Sequence, residues 1–262
     1  PGLVSVTFRK LSVKEIVELA SSAGLKAIEW GADIHVPPGD RNAIRKARSE
    51  SAKAGLEIAS YGSYYSAGMA KPDDPSFEAV LDAACDLGAP LIRVWAGRLA
   101  SASADAAVRK LVIDDLARIS ALARKRGVAV SVEFHGNTLN DNSNASLALL
   151  NSLKGSGVLT HWQPQLGDSP DSSVADIGNL LPSISILHVF HWLKASDGAP
   201  DKRPLIEGVS AWRRYFEAVS KSGRRHFAML EFVKNDEKEH FLHDAAVLKG
   251  MIEPLNANND AI

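Results

Sequence analysis

The chain has 262 residues, with 30 lysines and arginines against 31 aspartates and glutamates, a net charge of −1. This balance argues against a nucleic-acid binder, which needs a basic footprint to displace counterions. No apolar run reaches the roughly 18 residues of a membrane span, and residues 1–5 lack the pattern of a signal peptide. The single cysteine, Cys85, excludes an internal disulfide framework and fits a reducing compartment. We therefore expect a cytoplasmic globular protein.

Short β-like runs alternate with amphipathic helical stretches along the whole chain. We predict eight strands, at residues 3–8, 26–30, 56–61, 91–95, 128–134, 158–163, 184–190 and 227–233. The first helix has a capping box of Ser12 and Glu15 and stops at Gly24. Eight βα units in about 250 residues predict an α/β fold, a (β/α)8 TIM barrel with helices outside. An open doubly wound sheet usually has fewer units and a glycine-rich first turn. We expect a single barrel domain over residues 1–262.

The two ends of the predicted barrel differ in loop length. Connections from helix to strand are short and often contain glycine, whereas several strand-to-helix connections are long. The long connections are residues 31–40, 62–75, 136–144, 164–172 and 193–210. Loops after the strands build the active site of such barrels, so we expect the functional site at the carboxyl ends of the strands.

Strand alternation directs several polar side chains toward that end of the barrel interior. In the fifth strand, Glu133 alternates with a valine and phenylalanine face that helices would cover. Glu231 has the inward parity in the eighth strand, and His188 has it in the seventh, whereas His191 has the opposite parity. Carboxylates so close together need a compensating charge. A divalent Mn, Mg, Co or Zn ion bound by carboxylate and imidazole would supply it.

Other polar and aromatic residues have two interpretations each. Glu29 is interpreted as a structural carboxylate, for which Arg93 is an available partner. Four tryptophans occur at predicted strand ends, namely Trp30, Trp95, Trp162 and Trp192. Aromatic walls with a few polar groups suit a sugar ring, so we interpret the four as a pocket, although core packing is open for any single one.

The sequence resembles the sugar phosphate isomerase/epimerase family of the xylose-isomerase-like barrels. The resemblance extends over nearly the whole chain and is carried by GLKAIEW at 24–30, SVEFHG at 131–136, HVF at 188–190 and LEFV at 230–233. It implies a metal bound by Glu133, His188 and Glu231, with the two glutamates also moving a proton between adjacent sugar carbons. Where the family has an aspartate on strand six, this chain has Gln163, whose amide oxygen can also ligate a metal.

The resulting hypothesis is a metal-dependent isomerase or epimerase of a ketose or keto-sugar, acting through an enediolate. The expected substrate contacts are His35, Arg93, Trp95, His135, Trp162, Trp192 and Arg203. The alternatives are a metal-dependent lyase or hydratase of a keto-sugar and a barrel that binds sugars without catalysis. A multi-metal repair nuclease would need a basic groove, and the charge balance of this chain argues against one. We expect a small-molecule sugar partner, no nucleic acid and no membrane. The sequence does not determine the oligomeric state, and it is compatible with a homo-oligomer.

Overall fold

Eight parallel strands close into a barrel in the computed structural model, which describes residues 1–259. Each barrel strand is hydrogen-bonded to two neighbours, and the first strand pairs with the last to close the ring. The predicted TIM barrel is therefore confirmed. Residues 260–262 of the predicted domain lie outside the described part of the chain. Within residues 1–259, no helix combines the length and apolarity needed to cross a bilayer.

The strands and helices alternate along the chain as predicted. The barrel strands are β1 Gly2–Val4, β2 Ala27–Gly31, β3 Glu57–Ser66, β4 Leu91–Trp95, β5 Ala129–Glu133, β6 Leu159–Trp162, β7 Ile184–Val189 and β10 Phe227–Leu230. The helices are α1 Val13–Ser22, α2 Arg41–Lys53, α3 Phe77–Leu87, α4 Ala106–Lys125, α5 Ser143–Ser152, α6 Pro170–Leu180, α7 Val209–Ser220 and α8 Lys238–Asn259. The capping box of Ser12 and Glu15 is present at the start of α1.

Three local features differ from the predicted strands. The first strand ends at Val4, and a 3-10 turn, Ser5–Phe8, replaces its predicted second half. Strand β3 runs on to Ser66, past a register shift against β4 that begins after Gly62. The predicted loop at 193–210 contains most of an antiparallel hairpin, formed by β8 (His191–Lys194) and β9 (Pro200–Arg203). All three features depend on which strands pair with each other. Such pairing has no compact sequence signature.

The interior of the barrel changes from apolar to polar toward the carboxyl ends of its strands. Its floor is a small cluster of buried side chains, Val4, Val6, Ala27, Ala59, Leu91, Ile186 and Met229. Because side chains alternate along a strand, the next inward position lies two residues further on. There Glu29 follows Ala27, Arg93 follows Leu91, and Glu231 follows Met229. One period-two step therefore places charged groups directly above the apolar floor.

The larger hydrophobic core lies between the barrel and the helices, and it contains two of the four tryptophans assigned to a pocket. Trp162 is fully buried and packs edge-on against Trp212 and Tyr215 of α7. Trp30 is also fully buried, and its Nε1 donates to Ser51 Oγ of α2 at 3.1 Å. Each lies one residue after an inward side chain, so its parity directs it outward. The prediction of Trp162 as a substrate contact, and of Trp30 as a pocket residue, is wrong.

Replacing Trp162 by alanine tests this placement. We expect Trp162→Ala to lower the free energy of unfolding by about 3–5 kcal/mol, because a large cavity would open between β6 and α7. Trp192 is only half-buried, so Trp192→Ala is the matched control, with an expected loss of about 1 kcal/mol. Urea unfolding followed by circular dichroism measures both. Equal losses would show that Trp162 does not belong to the core.

Candidate metal site and active site

Four polar side chains, located at the carboxyl ends of four strands, converge at the mouth of the barrel. His188 Nδ1 lies 3.3 Å from Glu231 Oε2, 3.3 Å from Gln163 Oε1 and 3.7 Å from Glu133 Oε1. All four residues are buried, and ligand atoms of the two glutamates and His188 lie within 4.8 Å of one another. The structure therefore brings together the four residues predicted as metal ligands.

The donor set fits a divalent cation. Zinc-type bonds of about 2.0–2.1 Å in a tetrahedral shell place neighbouring ligand atoms roughly 3.3 Å apart. The separations from His188 Nδ1 to Glu231 and Gln163 match that spacing. Carboxylate, amide and imidazole donors together suit Mg, Mn, Co or Zn. These four residues are thus the ones that would hold a metal.

The balance of buried charge also favours a divalent cation at this site. Three carboxylates, those of Glu29, Glu133 and Glu231, surround one guanidinium, that of Arg93, in the barrel interior. With neutral imidazoles this group carries two net negative charges, which a divalent ion would neutralise. Buried charges without partners are costly, so an ion of that charge would stabilise the cluster.

Without a metal, a proton on His188 neutralises one of these two negative charges. Burial lowers the pKa of His188, but the facing carboxylates of Glu231 and Glu29 outweigh it and raise the pKa to about 10. The pKa of neighbouring His161 is lowered, chiefly because burial penalises its charged form. The two buried histidines therefore differ in charge because the carboxylates face mainly one of them.

A buried ion pair lies beneath the four donors. Arg93 Nε donates to Glu29 Oε1 at 2.9 Å, and Arg93 Nη1 donates to Glu133 Oε2. Although burial disfavours the carboxylate form, the charges of His188 and Arg93 hold the pKa of Glu29 well below its ordinary value. Glu29 therefore has the structural partner predicted for it. Arg93 is almost fully buried between two carboxylates, and its prediction as a direct substrate contact stays a prediction.

Gly62 makes room for this ion pair, a role that the sequence did not reveal. Gly62 lies directly beside Arg93 in the pairing of β3 with β4. A methyl group on Gly62 would lie 2.7 Å from Glu29 Oε1 and 2.8 Å from Arg93 Nη2. Such contacts are too close, so only glycine leaves the pair undisturbed.

Two of the predicted aromatic contacts do line the mouth. Trp95 Nε1 donates to Glu133 Oε2 at 2.7 Å, and the Trp95 ring stacks on exposed His135 with centroids 5.7 Å apart. On another side, Trp192 stacks on Phe190 at 4.2 Å, and Trp192 Nε1 lies 3.3 Å from the carbonyl of Phe232. Trp95, His135 and Trp192 are therefore placed where a substrate could reach them, and their role stays a prediction.

The remaining two predicted contacts are engaged elsewhere. His35 is buried, with Nδ1 3.0 Å from Ser5 Oγ and Nε2 3.1 Å from the Leu11 carbonyl. Both ring nitrogens are used within the protein, so His35 as a substrate contact is wrong. Arg203 lies in the β8–β9 hairpin, where Nε and Nη2 donate to Glu207. Its role as a substrate contact stays a prediction.

The chain turns sharply immediately after Glu231. Phe232 has a φ of +48°, a left-handed conformation that bulky residues rarely adopt. Its amide donates to Thr7 Oγ1 at 3.1 Å, which ties the end of β10 to the turn after β1. Such outliers persist where the surroundings over-determine them, and they cluster at functional sites. The strain thus lies beside one of the four donors.

With this geometry established, comparison with known proteins identifies the family. The model of the xylose isomerase-like TIM barrel matches residues 17–251. The chain belongs to the xylose isomerase-like TIM barrel family. This confirms the resemblance found in the sequence. No curated protein matches the chain.

Solved structures share the fold of this barrel at low sequence identity. The probable 3-DHS dehydratase AsbF from Bacillus anthracis is 20% identical, with a TM-score of 0.79 over 95% of this chain and 98% of that one. A xylose isomerase-like TIM barrel protein from Mycobacterium smegmatis in complex with magnesium is 15% identical, with a TM-score of 0.70 and 97% coverage of both chains. D-psicose 3-epimerase with D-tagatose from Clostridium cellulolyticum H10 is 14% identical, with a TM-score of 0.69 over 95% of this chain and 97% of that one.

Gly62→Ala tests the close packing around the Glu29–Arg93 pair. We expect the free energy of unfolding to fall by about 1–3 kcal/mol, because the methyl group would overpack the pair. Gly178→Ala in α6 is the matched control, since a Cβ there meets nothing within 4 Å. A glycine-to-alanine change inside a helix should instead add up to about 1 kcal/mol. Thermal unfolding measures both; an unchanged midpoint for Gly62→Ala would contradict the packing account.

Proposed function

We propose that this barrel is a divalent-metal-dependent isomerase or epimerase of a ketose or keto-sugar. The convergence of Glu133, Gln163, His188 and Glu231 at the carboxyl ends of the strands is the observation that carries the proposal. A bound divalent ion would supply a Lewis acid that polarises the carbonyl and the neighbouring hydroxyl of the substrate. The family and the likeness to D-psicose 3-epimerase support this choice.

The two glutamates differ in what else binds them, and this gives them different tasks. Glu133 Oε2 already accepts hydrogen bonds from Arg93 and Trp95. Glu231 faces His188 through Oε2, and the described hydrogen bonds include none from Arg93 or Trp95 to Glu231. Glu231 is therefore the carboxylate that takes the proton next to the carbonyl. Glu133, on the other side of the donor cluster, would take up a proton from solvent and give it to the enediolate form of the substrate, while the proton on Glu231 leaves to solvent.

Residues around the mouth suit a sugar-sized molecule. The half-buried Trp95 contacts Glu133, and the half-buried Trp192 contacts Phe232, the residue after Glu231. A cavity of about 370 Å³ adjoins Trp95 and is lined by Tyr64, Asp74 and Arg98 among others. Aromatic faces combined with polar groups match the alternating C–H and hydroxyl surfaces of a sugar. We propose Trp95, His135 and Trp192 as the substrate contacts.

A dehydratase is the second candidate function. Elimination of water from a hydroxyketone needs one carboxylate to remove the proton, and the engagement of Glu133 with Arg93 and Trp95 favours such a one-base reaction. The likeness to the probable 3-DHS dehydratase AsbF points in the same direction. Both reactions begin with the same proton abstraction by Glu231, so product analysis separates them.

Exchange of substrate protons with solvent deuterium tests the proposal. Protein loaded with Mn²⁺ in D2O should introduce deuterium next to the carbonyl of D-fructose, D-tagatose or D-psicose, and a chelator should stop the exchange. Glu231→Gln should slow it about 10²–10⁴-fold, the usual contribution of a general base. Glu18→Gln on the exposed face of α1 is the control and should leave the rate unchanged. Mass spectrometry and NMR measure the exchange.

The alternatives give different results in the same assay. Loss of water from 3-DHS without ketose exchange would establish the dehydratase instead. Sugar binding with neither exchange nor elimination would indicate a binding barrel without catalysis. Exchange that survives both the chelator and Glu231→Gln would contradict the proposed mechanism.

A further inference from the structure

Glu29 contacts His188, a ligand of the proposed metal site, from the side opposite the other donors. Glu29 Oε2 lies 3.3 Å from His188 Nε2, while His188 Nδ1 faces Gln163 and Glu231. Glu29 is fully buried and ion-paired with Arg93, so it is a carboxylate that only accepts hydrogen bonds. His188 Nε2 must therefore carry the proton in this contact.

That arrangement determines which ring nitrogen can bind a metal. A neutral imidazole protonated on Nε2 keeps its lone pair on Nδ1. His188 Nδ1 is the nitrogen that lies among Glu133, Gln163 and Glu231. Histidines that ligate metals usually donate their other N–H to a carboxylate or carbonyl, which fixes both the tautomer and the ring orientation.

The orientation of Glu29 is itself fixed by two neighbours. Ser60 Oγ donates to Glu29 Oε2 at 2.6 Å, and Arg93 Nε donates to Glu29 Oε1 at 2.9 Å. Arg93 also donates to Glu133, one of the four donors. The guanidinium of Arg93 thus connects Glu29, on the Nε2 side of His188, with Glu133, on the Nδ1 side.

We propose that Glu29 is a positioning residue that holds His188 as the Nε2–H tautomer with Nδ1 free to bind the metal. Arg93 positions Glu29 and Glu133 together, so the two sides of the site keep one geometry. This role rests on the proposed metal site and gives Glu29 a function in addition to pairing with Arg93.

A second metal between Glu29, His161 and His188 is the competing arrangement. Ligand atoms of these three residues also lie within 4.8 Å of one another, and buried His161 Nε2 lies 3.3 Å from the same Glu29 Oε2 that faces His188. However, the guanidinium of Arg93 contacts Glu29, and a cation there would meet its positive charge. A metal in that position would also remove the proton from His188 Nε2. The two arrangements therefore predict different proton positions and different metal stoichiometries.

Zn²⁺ titration and NMR of the full chain test the proposal. We expect one Zn²⁺ per chain. In the Zn²⁺-loaded protein, long-range ¹H–¹⁵N spectra should show the His188 proton on Nε2 and the metal-shifted signal on Nδ1. Glu29→Gln should weaken Zn²⁺ binding about 10–100-fold, the usual effect of losing such a partner. Ser60→Ala, which removes another donor to the same Glu29 oxygen, should change the affinity less than about 3-fold, because Glu29 still accepts from His188.

Several results would overturn the role of Glu29. They are two Zn²⁺ ions per chain, a His188 proton on Nδ1 in the loaded wild-type protein, or unchanged Zn²⁺ affinity in Glu29→Gln. The wild-type spectrum decides the question even when Glu29→Gln does not fold. Absence of Zn²⁺ binding to the wild-type chain would refute the metal site itself, whereas normal binding with the wrong tautomer refutes only the role of Glu29.

Discussion

The structure at the mouth depends on one constraint, the need to balance three buried carboxylates inside a closed barrel. Arg93 neutralises one negative charge by bridging Glu29 and Glu133, and two charges remain around His188 and Glu231. Burial makes an uncompensated charge expensive, so the remaining charge requires a cation or a proton. Both fit His188, which gains a proton when no metal is present. A metal bound to Nδ1 of His188 would therefore displace a proton from this ring.

The barrel provides this arrangement with little additional structure. Strands β2, β4, β7 and β10 each have an apolar residue on the floor and a polar one two positions later, so they direct polar groups into a single volume. Gly62 leaves space where the Glu29–Arg93 pair crosses between strands. The sharp turn at Phe232 redirects the chain as soon as Glu231 is in place. Beside the donors lie the stacked pair of Trp95 and His135 and, at the start of the β8–β9 hairpin, Trp192 stacked on Phe190.

Period-two alternation made much of this predictable from the sequence. The alternation of β-like runs with helical stretches predicted the eight strands, while period two predicted the inward direction of Glu133, His188 and Glu231 and distinguished His188 from His191. The same rule, applied strictly, directs Trp30 and Trp162 outward; their position near strand ends was mistaken for a place in the pocket. The contacts of His35, the hairpin and the space required at Gly62 depend on neighbours distant in sequence. No local pattern encodes those contacts.

The most direct test of the account is a crystal structure of the Mn²⁺-loaded protein with anomalous diffraction at the manganese edge. The account predicts one anomalous peak per chain, bonded to Glu133, Gln163, Glu231 and Nδ1 of His188, with Nε2 of His188 still facing Glu29. A peak bonded to Glu29 and His161, or no peak among the four donors, would contradict it.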